Sequence, residues 1–221
     1  MIKFHPTNEQ LSQFADGLLG ATEALMVSAH CDMCERCMAK VELYTDASAE
    51  IALPQSQDDD SVDFGSMMHN IMQEEPEEGI QLTPKSQIIE LDGRTFEIPR
   101  TLTRYTKSMG NWSRLVGKLW QAPVDIGGET VANFIYMEKG GSVPEHTHRG
   151  SEMTLVINGE FSDGIADYDS GDFMIMDCNN QHTPSTNADE GCLVFSIVDK
   201  PLHFTSGWAR LINPFSHLFF K

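Results

Sequence analysis

A chain of 221 residues, 40% of them hydrophobic, has room for one large domain or two small ones with real cores. No apolar run reaches the roughly 18–20 residues a membrane-spanning helix needs, and Met1-Ile2-Lys3-Phe4-His5-Pro6 lacks the charged-then-apolar start of a secretory signal, so a cytoplasmic, non-membrane chain is expected. The net charge of −18 repels phosphate backbones and speaks against direct nucleic-acid binding; a basic protein partner is its natural complement, and solubility its plain alternative.

The acidity is uneven. Residues 1–85 carry 4 Lys/Arg against 16 Asp/Glu, residues 86–221 carry 11 against 17. Thr7-Asn8-Glu9-Gln10 has the form of a capping box, and Leu11, Phe14, Ala15, Leu18 and Leu19 follow at helical spacing. Gly17 and Gly20 mark a break before a second helix, expected over about Ala21 to Ala29, with a third through Val41, Leu43 and Tyr44. Asp58-Asp59-Asp60 and Glu74-Glu75-Pro76-Glu77-Glu78-Gly79 have linker composition. Between them Val62 to Met72 predicts one more amphipathic helix, whose Met-rich face suits either a partner or its own domain.

From Ile88 the hydrophobic period becomes two. Strands are expected at Ile88–Leu91, Gly117–Gln121, Thr130–Met137, Met153–Ile157, Phe161–Ala166, Asp172–Met176 and Cys192–Val198, with turns at Gly127-Gly128, Gly140-Gly141, Asn158-Gly159 and Asp189-Glu190-Gly191. Short strands at such spacing imply an all-β sandwich or barrel. The chain thus divides into a small all-α part with an acidic linker at its end (1–85) and an all-β part with a C-terminal tail (86–221). The stretch Arg100–Lys118 holds five basic residues and no acidic one; an ordinary solvated strand face with a loop is expected there, with docking on the acidic N-terminal part as the alternative.

Two constellations carry chemistry. His30, Cys34 and Cys37 form H-x3-C-x2-C, whose offsets of 0, 4 and 7 residues fall within about 60° on one helix and converge equally well across a helix–turn–helix break. Imidazole with thiolates is a usual structural zinc set, and tetrahedral zinc wants a fourth ligand: His5 is the best candidate, with Cys31 as substitute. Further on, His146-Thr147-His148 puts two imidazoles on the same face of an extended segment, Glu152 lies four residues beyond, and His182 comes from a later strand. Three imidazoles and a carboxylate suit zinc or another divalent transition ion. Cys178 and Cys192 flank apolar residues and are expected to be buried rather than redox-active. His69, His203 and His217 have no partner spacing and read as structural, and the aromatic tail from Phe204 to Lys221 is expected to pack on the barrel.

The run from Gly140 to Gly159, G-x5-H-x-H-x3-E-x6-G with a later His, resembles the metal-binding motif of the cupin barrels. The second cupin motif is present only in part, through Gly171-Asp172 and His182. Together the two constellations resemble the ChrR-type anti-sigma factors, a zinc-binding helical domain followed by a cupin, over nearly the whole chain: His5, His30, Cys34 and Cys37 match the first site, His146, His148, Glu152 and His182 the second. The resemblance implies a cytoplasmic regulator rather than an enzyme. Its helical domain would sequester an extracytoplasmic-function sigma factor in a one-to-one complex, and its cupin would serve the response to singlet oxygen or organic peroxides. A metal-dependent cupin dioxygenase with an accessory N-terminal domain is the alternative.

Overall fold

The computed structural model describes residues 1–53, 63–75, 88–115, 117–128 and 130–206. Helix α1 (Asn8–Ala15) begins in the expected capping box: the Thr7 hydroxyl accepts the Gln10 N–H at 3.2 Å and the Gln10 side-chain oxygen accepts the Thr7 N–H at 2.8 Å. Two backbone donors that the first turn leaves unpaired are thereby satisfied. Helix α2 (Ala21–Met33) runs a turn past its expected end, and α3 (Glu35–Ala52) follows at once. The break is Cys34 itself, at φ −127° and ψ 95°, which closes one helix and opens the next. H-x3-C-x2-C therefore straddles a kink. Leu11, Val27, Cys31, Cys34, Cys37 and Val41 form the core of this bundle.

Helix α2 is apolar on more than one side, the pattern of a helix buried between layers. While Val27 and Cys31 face the bundle, Leu25, Met26 and Ala29 belong to the same buried cluster as Phe96, Leu102, Phe134 and Phe195 of the β part. Helix α4 (Phe64–Gln73) is different. Asp63 caps it through Ser66, but none of its residues is buried, and Phe64, Met67, Met68, Ile71 and Met72 lie exposed at i, i+3, i+4, i+7 spacing.

The β part opens with a hairpin, β1 (Ile88–Leu91) and β2 (Arg94–Glu97), joined by Asp92-Gly93. The basic stretch that follows opens helically, with α5 (Arg100–Thr103) and a 3-10 turn over Arg104–Ser108, and only Ser113–Arg114 give the expected exposed strand. Its start does dock on the helical part: Asp32 accepts the Thr101 N–H at 2.6 Å and lies 3.8 Å from Arg100 Nε, and Ser28 and Thr101 hydroxyls meet at 2.9 Å. The remaining strands are β3 (Ser113–Arg114), β4 (Leu119–Val124), β5 (Val131–Met137), β6 (Gly141–Ser142), β7 (His146–Thr147), β8 (Glu152–Ser162), β9 (Asp167–Asp169), β10 (Phe173–Met176), β11 (Gln181–His182), β12 (Ser185–Thr186), β13 (Cys192–Val198) and β14 (His203–Phe204). They pair antiparallel in the order β3-β4-β5-β13-β8-β12-β6, with β9 and β10 also on β8, and a smaller sheet β11-β7-β14 covers one end. This is a curled antiparallel sheet of the cupin kind, closed around Met137, Val156, Phe161, Met174 and Val194, while Phe134, Leu155, Leu193 and Phe195 on its other face pack against α2.

Asn158-Gly159 is not a hairpin turn. Both residues lie within β8, where the register against β13 shifts between Leu193 and Val194. Gly159 has φ +81°, and a Cβ there would sit 2.1 Å from the Gly191 carbonyl oxygen. An Asn-Gly pair supplies positive φ equally to a turn or to a bulged strand, and here it lies beside the bulge in one long strand. Cys178 is a second correction. Asp177 and Asn180 close a tight turn around it (Asn180 N–H to Asp177 carbonyl, 3.0 Å) and leave it exposed, while Cys192 is buried as expected. The tail beyond Ser206, with His217, lies outside the described residues.

Two candidate metal centres

In the barrel, β7 and β11 are paired with His146 directly opposite His182, and β8 begins at Glu152 beside them. The His182 Nε2 lies 3.0 Å from His146 Nε2 and 3.1 Å from His148 Nε2, and Glu152 Oε2 is 3.4 Å from His148 Nε2 and 4.0 Å from His182 Nε2. The three histidines are buried. His146 Nδ1 donates to the Pro144 carbonyl at 2.9 Å, so its Nε2 presents a lone pair. Three imidazole nitrogens crowded round one point cannot all be satisfied by ring protons, whereas a cation satisfies them together with the carboxylate. Burial pushes His182 down to about 4, with the neighbouring His146 adding to it and Glu152 opposing, and burial also lowers His148. Both rings are thus kept neutral, the form in which imidazole ligates. Ser196 Oγ donates to Glu152 Oε1 at 2.7 Å and orients the carboxylate. The adjoining cavity, lined by Ile135, Met137, Phe161, Met174 and Val194 among others, measures about 70 Å³. Pockets for organic ligands of ordinary size occupy roughly 300–1,000 Å³.

The second cluster lies where α2, α3 and the N-terminal arm meet. His30 Nε2 is 3.4 Å from His5 Nδ1 and 3.3 Å from Cys37 Sγ; His5 Nδ1 is 3.5 Å from Cys34 Sγ and 3.4 Å from Cys37 Sγ. A tetrahedral zinc site with bonds of about 2.0 Å to nitrogen and 2.3 Å to sulfur has edges of roughly 3.3–3.8 Å. The donor set and spacing therefore fit zinc. The His30 Nδ1–H is committed to the Gly171 carbonyl at 2.8 Å, which turns the Nε2 lone pair inward. Burial pushes His30 down to about 4, the Gly171 contact opposing it. Burial and the neighbouring Cys34 thiol raise Cys37 to about 11, a range in which a bare site would hold thiols and a bound cation thiolates. Cys31 is outside the cluster; it is buried in the bundle, which drives its thiol up to about 12.

Sequence spacing brought the eight expected residues into these two groups of four: His5, His30, Cys34 and Cys37, and His146, His148, Glu152 and His182, each group's ligand atoms lying within 4.8 Å of one another. Sequence reading missed the residues behind them. Asp163 faces His182, and Gly171 and Asp172 support His30 and the arm that carries His5. Gly171-Asp172 stood out only as a remnant of the second cupin motif, and nothing in the local sequence singles out Asp163.

A helical module with a His2Cys2 cluster, set on a cupin-like barrel with a His3Glu cluster, defines a two-centre protein of helices followed by a cupin. Residues 102–200, which hold all four barrel residues, match the family described as the ChrR cupin-like domain. Over 219 residues the chain is 27% identical to the anti-sigma-E factor ChrR of Cereibacter sphaeroides, covering 97% of this chain and 98% of that relative. The crystal structure of Rhodobacter sphaeroides SigE in complex with the anti-sigma ChrR contains a chain of the same fold, with a TM-score of 0.65 and 24% identity across 90% of this chain and 100% of that one. The chain is thus ChrR-like in its barrel and along nearly its whole length.

Proposed function

We propose that this protein is an anti-sigma factor that holds an extracytoplasmic-function sigma factor in a one-to-one complex and releases it when the barrel senses singlet oxygen or peroxide. The observation that carries the reading is the end-to-end similarity to the anti-sigma-E factor ChrR, which spans helical module and barrel alike. Residues 1–85 form the sigma-binding, zinc-stabilised part and residues 86–221 the sensing part. His5, His30, Cys34 and Cys37 hold zinc; His146, His148, Glu152 and His182 hold zinc or another divalent transition ion. Zinc at the first cluster would supply a tetrahedral cross-link between the arm, α2 and α3, and so folding free energy on the order of 10 kcal/mol.

The chain's own residues do the rest. The exposed apolar face of α4, with Met67, Met68 and Ile71, offers an adaptable surface to a partner, and the acidic helical part complements the basic surfaces by which a sigma factor meets DNA and polymerase. A cavity of about 70 Å³ beside the barrel cluster suits a small oxidant better than an organic substrate, which favours this reading over a dioxygenase. No helix among the described residues is long and apolar enough to cross a membrane, in keeping with a cytoplasmic regulator.

Transcription from a sigma-dependent promoter, reconstituted with purified polymerase, tests the proposal. Added protein should silence it, and stripping the metal should restore it. Transcription that is indifferent to the protein would reject the anti-sigma reading.

A further inference from the structure

A single segment of the barrel, which returns along β8 as β9 and then β10, supports a ligand of each metal cluster. It leaves the end of β8 at Asp163, forms β9 and turns at Gly171-Asp172 into β10. At the far end the Gly171 carbonyl accepts the His30 Nδ1–H at 2.8 Å. Asp172, fully buried, accepts the backbone N–H groups of Lys3 and Phe4 through Oδ1 at 2.5 and 2.9 Å, and that of Asp169 through Oδ2 at 2.7 Å. The Phe173 N–H donates to the Phe4 carbonyl at 3.0 Å. The arm is therefore clamped to the barrel one residue before His5. Gly171 is needed for this approach: at φ +91° it has no Cβ, and one would lie 2.5 Å from the Ile2 side chain.

At the near end Asp163, also buried, accepts the Ile165 and Ala166 N–H groups through Oδ1, both at 2.8 Å. Its Oδ2 accepts the Tyr168 hydroxyl at 3.1 Å and faces His182 Nδ1 at 3.7 Å, an atom with no hydrogen-bond partner among the described residues. Tyr168 connects the two ends, for its ring lies 4.7 Å from that of Phe4 and stacks on Phe161. Buried carboxylates are costly unless their lone pairs are used, and both of these are spent on the segment itself and on the groups that carry the ligands.

We propose that the segment from Asp163 to Asp172 couples the two centres, so that the state of the barrel cluster sets how tightly the helical cluster keeps its ion. Asp163, Tyr168 and Asp172 are the positioning residues: the first orients His182, the last the arm bearing His5, and Tyr168 passes displacement of either to the other through Phe4. Coupling between sites is reciprocal, so filling the helical cluster strengthens the barrel site by the same factor. The inference rests on the metal-binding half of the proposed function and is independent of the sigma partner.

Cobalt(II) in the full-length protein separates the two sites, because only the helical cluster has thiols and gives a thiolate charge-transfer band. The decay of that band into excess chelator is followed with the barrel cluster intact and with it disabled by His148→Ala and Glu152→Ala. Disabling the barrel should speed the decay about fivefold or more. Tyr168→Phe, which removes one oxygen, and Phe4→Ala should each make the decay indifferent to the barrel's state, with circular dichroism checking that they fold. Equal decay rates with the barrel intact or disabled would overturn the coupling. Absence of the band altogether would instead contradict the metal reading of the helical cluster.

Discussion

His30 shows how completely a ligand's chemistry is set by its surroundings. Burial holds it, like His182, near a pKa of about 4, well below the ordinary histidine value of 6.5. In the metal-free protein the unfolded chain therefore binds more protons than the folded one between these values. Stability is fully present above pH 6.5 and is lost as pH falls toward 4, on the order of 3 kcal/mol for each histidine. Urea unfolding of chelator-treated protein should show a midpoint that drops steadily from pH 7 to pH 4.5; a constant midpoint would count against neutral buried rings. Much of each candidate cluster was legible in the sequence because its spacing is local, two residues apart for His146 and His148 and four and seven across the kink for His30, Cys34 and Cys37; His5 and His182 join from 25 and 34 positions away. The residues that orient them were not. Asp172 reaches the Phe4 N–H across 168 positions of sequence, and only the closed barrel brings such a pair together.

At the level of elements, local signals were right about what a residue permits and less reliable about where it is used. Asn158-Gly159 permits positive φ, and long-range pairing keeps both opposite β13 inside β8, beside the bulge that skips Ile157. Gly159→Ala should cost about 1–3 kcal/mol through strain and its clash with the Gly191 carbonyl, read as a lower melting temperature. An unchanged melting temperature would show that the position tolerates a side chain. The Cys178 turn was misjudged for a related reason, since Met176 before it belongs to the strand and Cys178 to the turn that ends it. Helix α4 was expected and is present, but its burial could not be read from its own sequence because an apolar face does not name its partner. Met68→Asp with Ile71→Asp should leave stability within about 0.5 kcal/mol, as for solvent-facing positions, while weakening sigma binding at least tenfold. A large loss of stability would place the face against this chain instead.

For the molecule as a whole, the division expected near residue 85 falls outside the described residues. The fold class, helices and then a curled antiparallel barrel, was legible from the change of hydrophobic period at Ile88, but α2 is a wall shared by both parts. Met26→Ala, which empties a buried position among Leu25, Ala29 and the helix-facing side of the β-sheet, should cost about 2–5 kcal/mol and lower barrel and bundle stability together. Near-ultraviolet dichroism of the barrel and the cobalt–thiolate band of the bundle should then melt in one transition. Two separated transitions would mean that the wall is not shared in solution.

The central claim, that a zinc-completed helical module captures a sigma factor, is tested most directly by the mass of the purified complex. Co-expressed with the extracytoplasmic-function sigma factors of its source, one at a time, the chain should elute with one of them at the mass of a one-to-one heterodimer. The double variant Cys34→Ala/Cys37→Ala should release that partner. A heterodimer of the same mass and yield with the double variant would contradict the account.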